Sequence, residues 1–378
     1  MSREFDELNK RLDRVLSEAR RGESSKRVCV GCDNRWKALT NNPHSAQAIG
    51  DSSAVFVDHT FCRVLSADSP ERAYVRRDGL DKSVIHWGQR KLLMSEIEFL
   101  TLLNRDQLRD AEVVYAGAAP GTHVEFLCEL FPTVHFTLVD PAPFTVRESD
   151  RIRIIKGMFT DELAALLGEM FRGRTVLFIS DIRTADPDVD TASEGDLKIR
   201  SDMQAQQTWH MLMRPFRSIL KFRLPWDDGV TEYLAGDIYL PVWGPQTTTE
   251  CRLVTGVNSL AKTMYDHKKY ESQMFYFNTV LRPSLYDHGV RAEGLDHCYD
   301  CKAEVEILKR YLQLTPLPFP GGSMNEKIAN LSMHISRCVS TRRTLADPNP
   351  DPESRSRIIK RRQHVGGKPA YLHPPPHE

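Results

Sequence analysis

No apolar run in the 378 residues approaches the roughly 20 needed to cross a bilayer, and no secretory apolar segment stands at the N-terminus, so neither membrane insertion nor secretion is expected. Net charge is missing as well: 51 Lys plus Arg balance 51 Asp plus Glu. That balance argues against a protein that grips long nucleic acid mainly by neutralising phosphates, and requires any such recognition to be local, through specific pockets. Eight cysteines are too sparse at this length for a disulfide framework, so free thiols in a reducing compartment are expected, nucleus and cytoplasm being equally open. Internal repeats are absent. Neither the Gly-x-Gly-x-x-Gly of a dinucleotide fold nor the Lys-Ser/Thr of a phosphate-binding loop occurs beside the first strand, which disfavours NAD and ATP.

What is present reads as a soluble globular chain, 40% hydrophobic and 27% charged, long enough for one large domain or two ordinary ones. Residues 1–80 form an N-terminal extension. Within it, Phe5, Leu8, Leu12, Val15, Leu16 and Ala19 fall at helical spacing and predict an amphipathic helix before a linker at 20–25, and residues 54–57 read as a short β-like piece. Residues 81–340 carry the main domain. There the pattern predicts a helix over 91–103, a strand at 113–116, a helix over 121–131 and strands at 134–139, 175–180, 218–224 and 251–254. Strand alternating with helix argues for a doubly wound, mostly parallel α/β sheet. Residues 341–378, with Asp-Pro repeats, an Arg/Lys run and a His-Pro-Pro-Pro end, read as a disordered basic tail. Its basic stretch at 357–362 suits a nuclear address or a plain solvated tail equally well.

Tyr115-Ala-Gly-Ala-Ala-Pro-Gly-Thr-His123 follows the first strand. Gly117 permits a sharp turn, and Gly121 permits close approach of a ligand to the next helix. Asp140 ends the second strand, where a carboxylate can accept from both ribose hydroxyls of an adenosine. A turn and an acid in this order suit S-adenosylmethionine, which has no phosphates to cradle; the bland alternative is an ordinary strand-to-helix turn.

Methylating a ribose hydroxyl needs a base and a means of alignment. A lysine serves as base when burial and a neighbouring cation depress its pKa. Lys91, Asp181, Lys221 and Glu250 are the candidates. Lys221 stands inside an apolar strand and Asp181 at a strand end, where such sheets bind ligands. Taken singly, Lys91 suits a helix surface, Lys221 a snorkelling edge strand and Glu250 a solvated strand start.

Trp87-Gly-Gln-Arg-Lys-Leu-Leu93, Val114-Tyr-Ala-Gly-Ala-Ala-Pro-Gly-Thr-His123, Leu138-Val-Asp140, Ile179-Ser-Asp-Ile-Arg183, Leu220-Lys-Phe-Arg-Leu-Pro-Trp226 and Glu250-Cys-Arg-Leu253 closely resemble the poxvirus-type cap-specific mRNA 2′-O-methyltransferases. This family has a viral founding member that doubles as a poly(A) polymerase stimulatory subunit, with similar enzymes in kinetoplastids and large DNA viruses. The resemblance runs from about Trp87 to about Leu312 and implies a Rossmann-like S-adenosylmethionine-dependent methyltransferase fold. It implies a Lys91-Asp181-Lys221-Glu250 tetrad with Lys221 as base, and a cofactor pocket of Gln89, Tyr115, Gly117, Gly121, Asp140, Thr160 and Asp181. Ala142 departs from the family arginine near the ribose, which throws more weight on Asp140. The cap pocket implied comprises Trp226, Asp228 and Glu271, with Tyr74 as the second aromatic plate and Arg223 on the RNA backbone. Capped mRNA is the implied partner, with a poly(A) polymerase or another mRNA-processing subunit as a further one. Two rivals stay open: a degenerate fold kept as an RNA or polymerase clamp, and a 2′-O-methyltransferase of uncapped RNA. Cys29-Val-Gly-Cys32 and Cys298-Tyr-Asp-Cys301 make two Cys-x-x-Cys pairs beside His297. Their separation in sequence favours buried structural thiols, and no metal is expected.

Overall fold

Two largely apolar strands set the centre of the molecule, β2 (Glu112–Ala116) and β5 (Val176–Ser180), each buried along its whole length. A strand shielded on both faces reads as a near-continuous apolar run. A computed structural model describes residues 60–75, 88–186, 189–244, 248–292, 295, 297–315 and 317–339. The helix expected at 5–19, the linker, the piece at 54–57, Trp87, the Cys29–Cys32 pair and the tail lie outside the described residues.

Around that pair the chain lays down β1 (Val64–Leu65), β3 (His135–Asp140), β4 (Ile152–Lys156), β6 (Arg217–Phe222), β7 (Val230–Leu234), β8 (Gly236–Tyr239), β9 (Cys251–Thr255) and β10 (Lys262–Asp266). Eight strands form one sheet in the order β1-β8-β9-β6-β5-β2-β3-β4, and β7 pairs with β10 in a separate ribbon. From β4 to β6 all neighbours are parallel, while β9, β8 and β1 continue the sheet antiparallel. The chain steps outward from β2 to β3 and β4, then returns to β5 on the other side of β2. This reversal makes a crevice at the carboxyl ends of β2 and β5, where doubly wound sheets bind their ligands.

The helices are α1 (Gly88–Leu100), α2 (Arg105–Leu108), α3 (Val124–Leu130), α4 (Asp161–Met170), α5 (Ala192–Met213), α6 (His267–Tyr276, continued by a π turn over Phe277–Leu281), α7 (Tyr299–Leu314) and α8 (Met324–Cys338). Right-handed crossovers leaving β2 and β5 in opposite directions put their helices on opposite faces. In agreement, α1 packs with α3 and α7, and α7 with α8, while α4 packs with α5. Local chemistry starts several of these helices: Thr191 with Glu194 and Ser323 with Glu326 form capping boxes for α5 and α8, and Thr160 caps α4.

The expected strands are present with ends shifted by one or two residues. The first helix spans Gly88–Leu100 rather than 91–103, because residues 101–103 tighten into a turn before the Asn104 cap of α2. The helix expected over 121–131 is Val124–Leu130, since Gly121 sits at φ +67° in the turn that precedes it. At the other end, Cys298 caps α7 by accepting from the Cys301 N–H, and Cys301, Val305 and Leu308 face the core.

Candidate active site

Consecutive side chains on a helix diverge by about 100°, and the first turn of α1 exploits this. Gln89 reaches His123, with Oε1 2.7 Å from Nδ1. Arg90 turns into the core, and Lys91 turns to Glu250, with Nζ 2.6 Å from Oε1. Arg90 is fully buried in a fork on Glu304 (2.9 and 2.5 Å). Glu304 also accepts from the Trp243 indole at 2.6 Å and from Ser332 at 2.5 Å. Trp243 takes the left-handed backbone (φ +58°), unusual for a bulky residue, and is held there by its N–H on Asp300 at 2.9 Å. Asp300 is itself paired with the buried Arg282 at 3.2 Å. These two ion pairs fix the segment that lies beside Lys91.

Sheet register brings in the rest. Ser180 pairs with Leu220 and Lys221 with Arg252, so Asp181, Lys221 and Arg252 stand side by side at the ends of β5, β6 and β9. Two cations directly across a sheet repel. Asp181 offsets this: its Oδ1 lies 3.0 Å from Lys221 Nζ and 2.6 Å from Arg252, and its backbone carbonyl accepts from Lys221 Nζ at 2.9 Å. Glu250 links the other side, 3.3 Å from Arg252 and 2.8 Å from Arg183. The four sequence candidates thus form one connected cluster, with Arg252 and Arg183 as members that sequence reasoning missed, although both lay in quoted motifs. The ordinary explanations fail for three of the four: Lys221 is on an interior strand, and Lys91 and Glu250 are 14% and 13% exposed.

The electrostatics follow from this packing. Burial lowers the Lys221 pKa from its usual 10.5; Asp181 and Glu250 oppose the shift, Arg252 and Arg183 add to it, and the net is downward. Burial would raise both acids, but for Asp181 the cations Lys221, Arg252 and Lys91 outweigh it. For Glu250 Lys91, Lys221, Arg252 and Arg183 do so, leaving it well below 4.5. A depressed carboxylate contributes stability that is present above its unfolded pKa and lost as pH falls through the folded one. Acid melting is therefore expected to lower Tm steadily below about pH 4.5, and Glu250→Gln to flatten that limb; a variant whose limb keeps the wild-type slope would remove Glu250 from the account.

The crevice beside this cluster is shaped by glycine. Gly117 has φ +78°, and a Cβ there would stand 2.8 Å from the Ile182 nitrogen and 2.9 Å from the Asp181 carbonyl carbon. Only glycine lets the loop after β2 lie directly on the backbone following β5. Asp140 Oδ2 accepts from the Ala119 N–H at 3.1 Å and Oδ1 from Ala142 at 2.8 Å, so each oxygen keeps a second lone pair. Thr122 Oγ1, on the residue after Gly121, is buried without a hydrogen-bond partner, which suits a polar ligand. Thr160 is exposed at the start of α4, where its hydroxyl caps Leu163 N at 3.2 Å. Tyr115 is 1% exposed, and its pKa is raised by burial and by the nearby Glu96 and Asp181. A separate narrow recess lies behind the cluster, between Arg63 and Glu98 at one end and Lys91, Glu250 and Arg252 at the other. It touches neither glycine nor Asp140, and the switch-point crevice is the better candidate for a cofactor.

The cap-pocket candidates gather around α6 and the end of β6. Arg223 lies over the Trp226 ring at 5.0 Å, and Asp196 of α5 holds the Trp226 N–H at 3.2 Å. Lys268 joins Asp228 (3.2 Å) to Glu271 (3.3 Å). Tyr74 packs edge-on against Phe275, one turn beyond Glu271, at 5.2 Å. Cys298 and Cys301 are buried, and no group of three or more metal-ligating side chains is found among the described residues.

Comparison with known proteins gives this arrangement its relatives. A cap-specific mRNA (nucleoside-2′-O-)-methyltransferase of Myxoma virus (strain Lausanne) is 28% identical over 237 residues, covering 58% of this chain and 69% of its own. That of Fowlpox virus (strain NVSL) is 29% identical over 220 residues, covering 52% and 68%. The solved structure of bluetongue virus VP4, described as a multifunctional RNA-capping production line, overlaps 77% of this chain but only 42% of its own, at TM-score 0.38 and 11% identity, too loose a likeness to argue from. Residues 70–340 match the model of the poly(A) polymerase regulatory subunit family. With that match spanning most of its 378 residues, the chain belongs to the poly(A) polymerase regulatory subunit family.

Proposed function

We propose that this protein transfers a methyl group from S-adenosylmethionine to the ribose 2′-hydroxyl of a cap-proximal nucleotide of mRNA. The observation that carries the reading is the buried cluster at the switch point, in which a lysine with lowered pKa is aimed by a carboxylate and flanked by two arginines. The names of the viral relatives agree with it.

When bound, S-adenosylmethionine supplies an electrophilic methyl group, and the chain's residues do the rest. Gly117 and Gly121 leave room against the backbone, Asp140 offers its free lone pairs to the ribose, and Gln89 and Thr160 border the amino-acid and adenine ends. Lys221, in its neutral form, accepts the proton of the 2′-hydroxyl at Nζ as the oxygen attacks. Asp181 fixes that nitrogen through both carboxylate and carbonyl, and stabilises the ammonium once formed. Glu250, itself paired with Lys91, holds Arg252 and Arg183, leaving an excess of positive charge for the neighbouring phosphate. A methylated guanine is a flat cation, which Trp226 and Tyr74 would stack and Asp228 and Glu271 would neutralise. Arg223 would meet the RNA backbone.

Methyl transfer from labelled S-adenosylmethionine to short capped RNA, with uncapped RNA as control, tests this. Cap-dependent labelling at a ribose is expected. Equal labelling of uncapped RNA would move the substrate elsewhere. The family name favours a second reading, a polymerase-stimulating subunit; cofactor binding with no transfer to any capped RNA would support that instead.

A further inference from the structure

Outside the ion-pair cluster runs a second buried polar chain. His123, the last residue before α3, is 1% exposed, as is Glu96 of α1. His123 Nδ1 lies 2.7 Å from Gln89 Oε1, and its Nε2 lies 2.9 Å from Glu96 Oε1. A polar group this deep is retained only with partners, and here the partners join the helix that carries Lys91 to the glycine loop.

The chemistry of the amide gives the chain a direction. An amide oxygen only accepts, so Nδ1 carries the hydrogen and donates to Gln89 Oε1, while Nε2 faces Glu96 Oε1. With its oxygen turned inward to His123, the half-buried Gln89 amide has its NH2 donors left for another partner. We infer that His123, backed by Glu96, is a positioning residue that orients Gln89 so that its NH2 group receives the carboxylate of the cofactor's amino-acid moiety. The inference rests on the cofactor reading above and adds a determinant to it: the chain selects for a ligand bearing a free carboxylate rather than for the thioadenosine alone.

The test compares two ligands by calorimetry on the full-length protein: S-adenosylhomocysteine, and 5′-methylthioadenosine, which lacks the amino-acid end. His123→Ala is expected to weaken S-adenosylhomocysteine by about tenfold, the scale of one hydrogen bond to a charged group, and to leave methylthioadenosine within about twofold. His123→Asn, whose Nδ2–H stands where Nδ1–H was, restores the first affinity. Gln89→Glu presents an oxygen to the carboxylate and weakens S-adenosylhomocysteine selectively. Equal loss of both ligands in His123→Ala, accompanied by a lowered Tm, would show a structural role and overturn the assignment, as would tighter S-adenosylhomocysteine binding by Gln89→Glu. A wild-type protein that binds neither ligand would overturn the cofactor reading itself, and the assignment with it.

Discussion

Lys221→Met is expected to lower methyl transfer to capped RNA by about 10³-fold, within the range for loss of a general base, with S-adenosylhomocysteine affinity and Tm close to wild type. The fold tolerates the change because Asp181 keeps Arg252 at 2.6 Å and no carboxylate is orphaned. Lys221→Arg separates the two roles the side chain could play. Arginine retains the cation but cannot lose its proton in the accessible pH range, so it is expected to be as inactive as methionine. An active arginine variant would mean that Lys221 acts through charge alone. The pH dependence carries the same content. Only neutral Lys221 accepts a proton, so the single-turnover rate rises with pH through the folded pKa of Lys221, which lies below 10.5. Arg252→Gln removes one of the cations that lower it, so the limb moves to higher pH. A limb that stays put in this variant would detach the rate from Lys221.

Glu304→Gln is expected to destabilise the protein by about 3–5 kcal/mol, the usual consequence of stripping the partner from a buried charge, and to lower Tm by on the order of 10 °C. Arg90 and Glu304 are both 0% exposed, and Arg90 cannot shed its charge. The loss spreads, because Glu304 also holds Trp243 and Ser332, and Trp243 needs its bonds to stay in the left-handed region. Removing both charges together, as Arg90→Met with Glu304→Leu, is expected to recover part of the stability, since apolar replacements of buried ion pairs often do. Recovery of activity is not expected to follow in step, because Trp243 lies in the segment that packs beside Lys91. A Glu304→Gln protein with wild-type Tm in thermal melts would show that Arg90 finds other compensation.

Much of the fold was legible in local pattern. β2 and β5 announce themselves as short runs of mostly apolar residues, and Gly117, Gly121 and Asp140 fall in the order that a doubly wound nucleotide site requires. What escaped included an element with weak periodicity. α5, Ala192–Met213, mixes polar residues around its whole circumference, because its Asp196, Asp202 and Gln206 face inward to hold Trp226, Thr184 and the Lys221 carbonyl. Strand β4 was not anticipated, nor was helix α8 although its apolar face is well marked, and the boundaries of α1 and α3 were off because turns, rather than apolar spacing, end them.

The sequence by itself determined the α/β class, the glycine turn with its acid, and the four residue types suited to a ribose hydroxyl, since each of these is written in neighbouring residues. Only the tertiary structure decided which of them meet. Lys221 and Arg252 become neighbours through antiparallel register, Asp181 pairs with both, and Glu250 draws in Arg183 from a segment far away in the chain. His123 became visible as a partner of Gln89 only when α1 and α3 packed together. The physical reason is that a charge's pKa, burial and partners are properties of a place, and this place is made by strand order, to which no single segment of the chain has access.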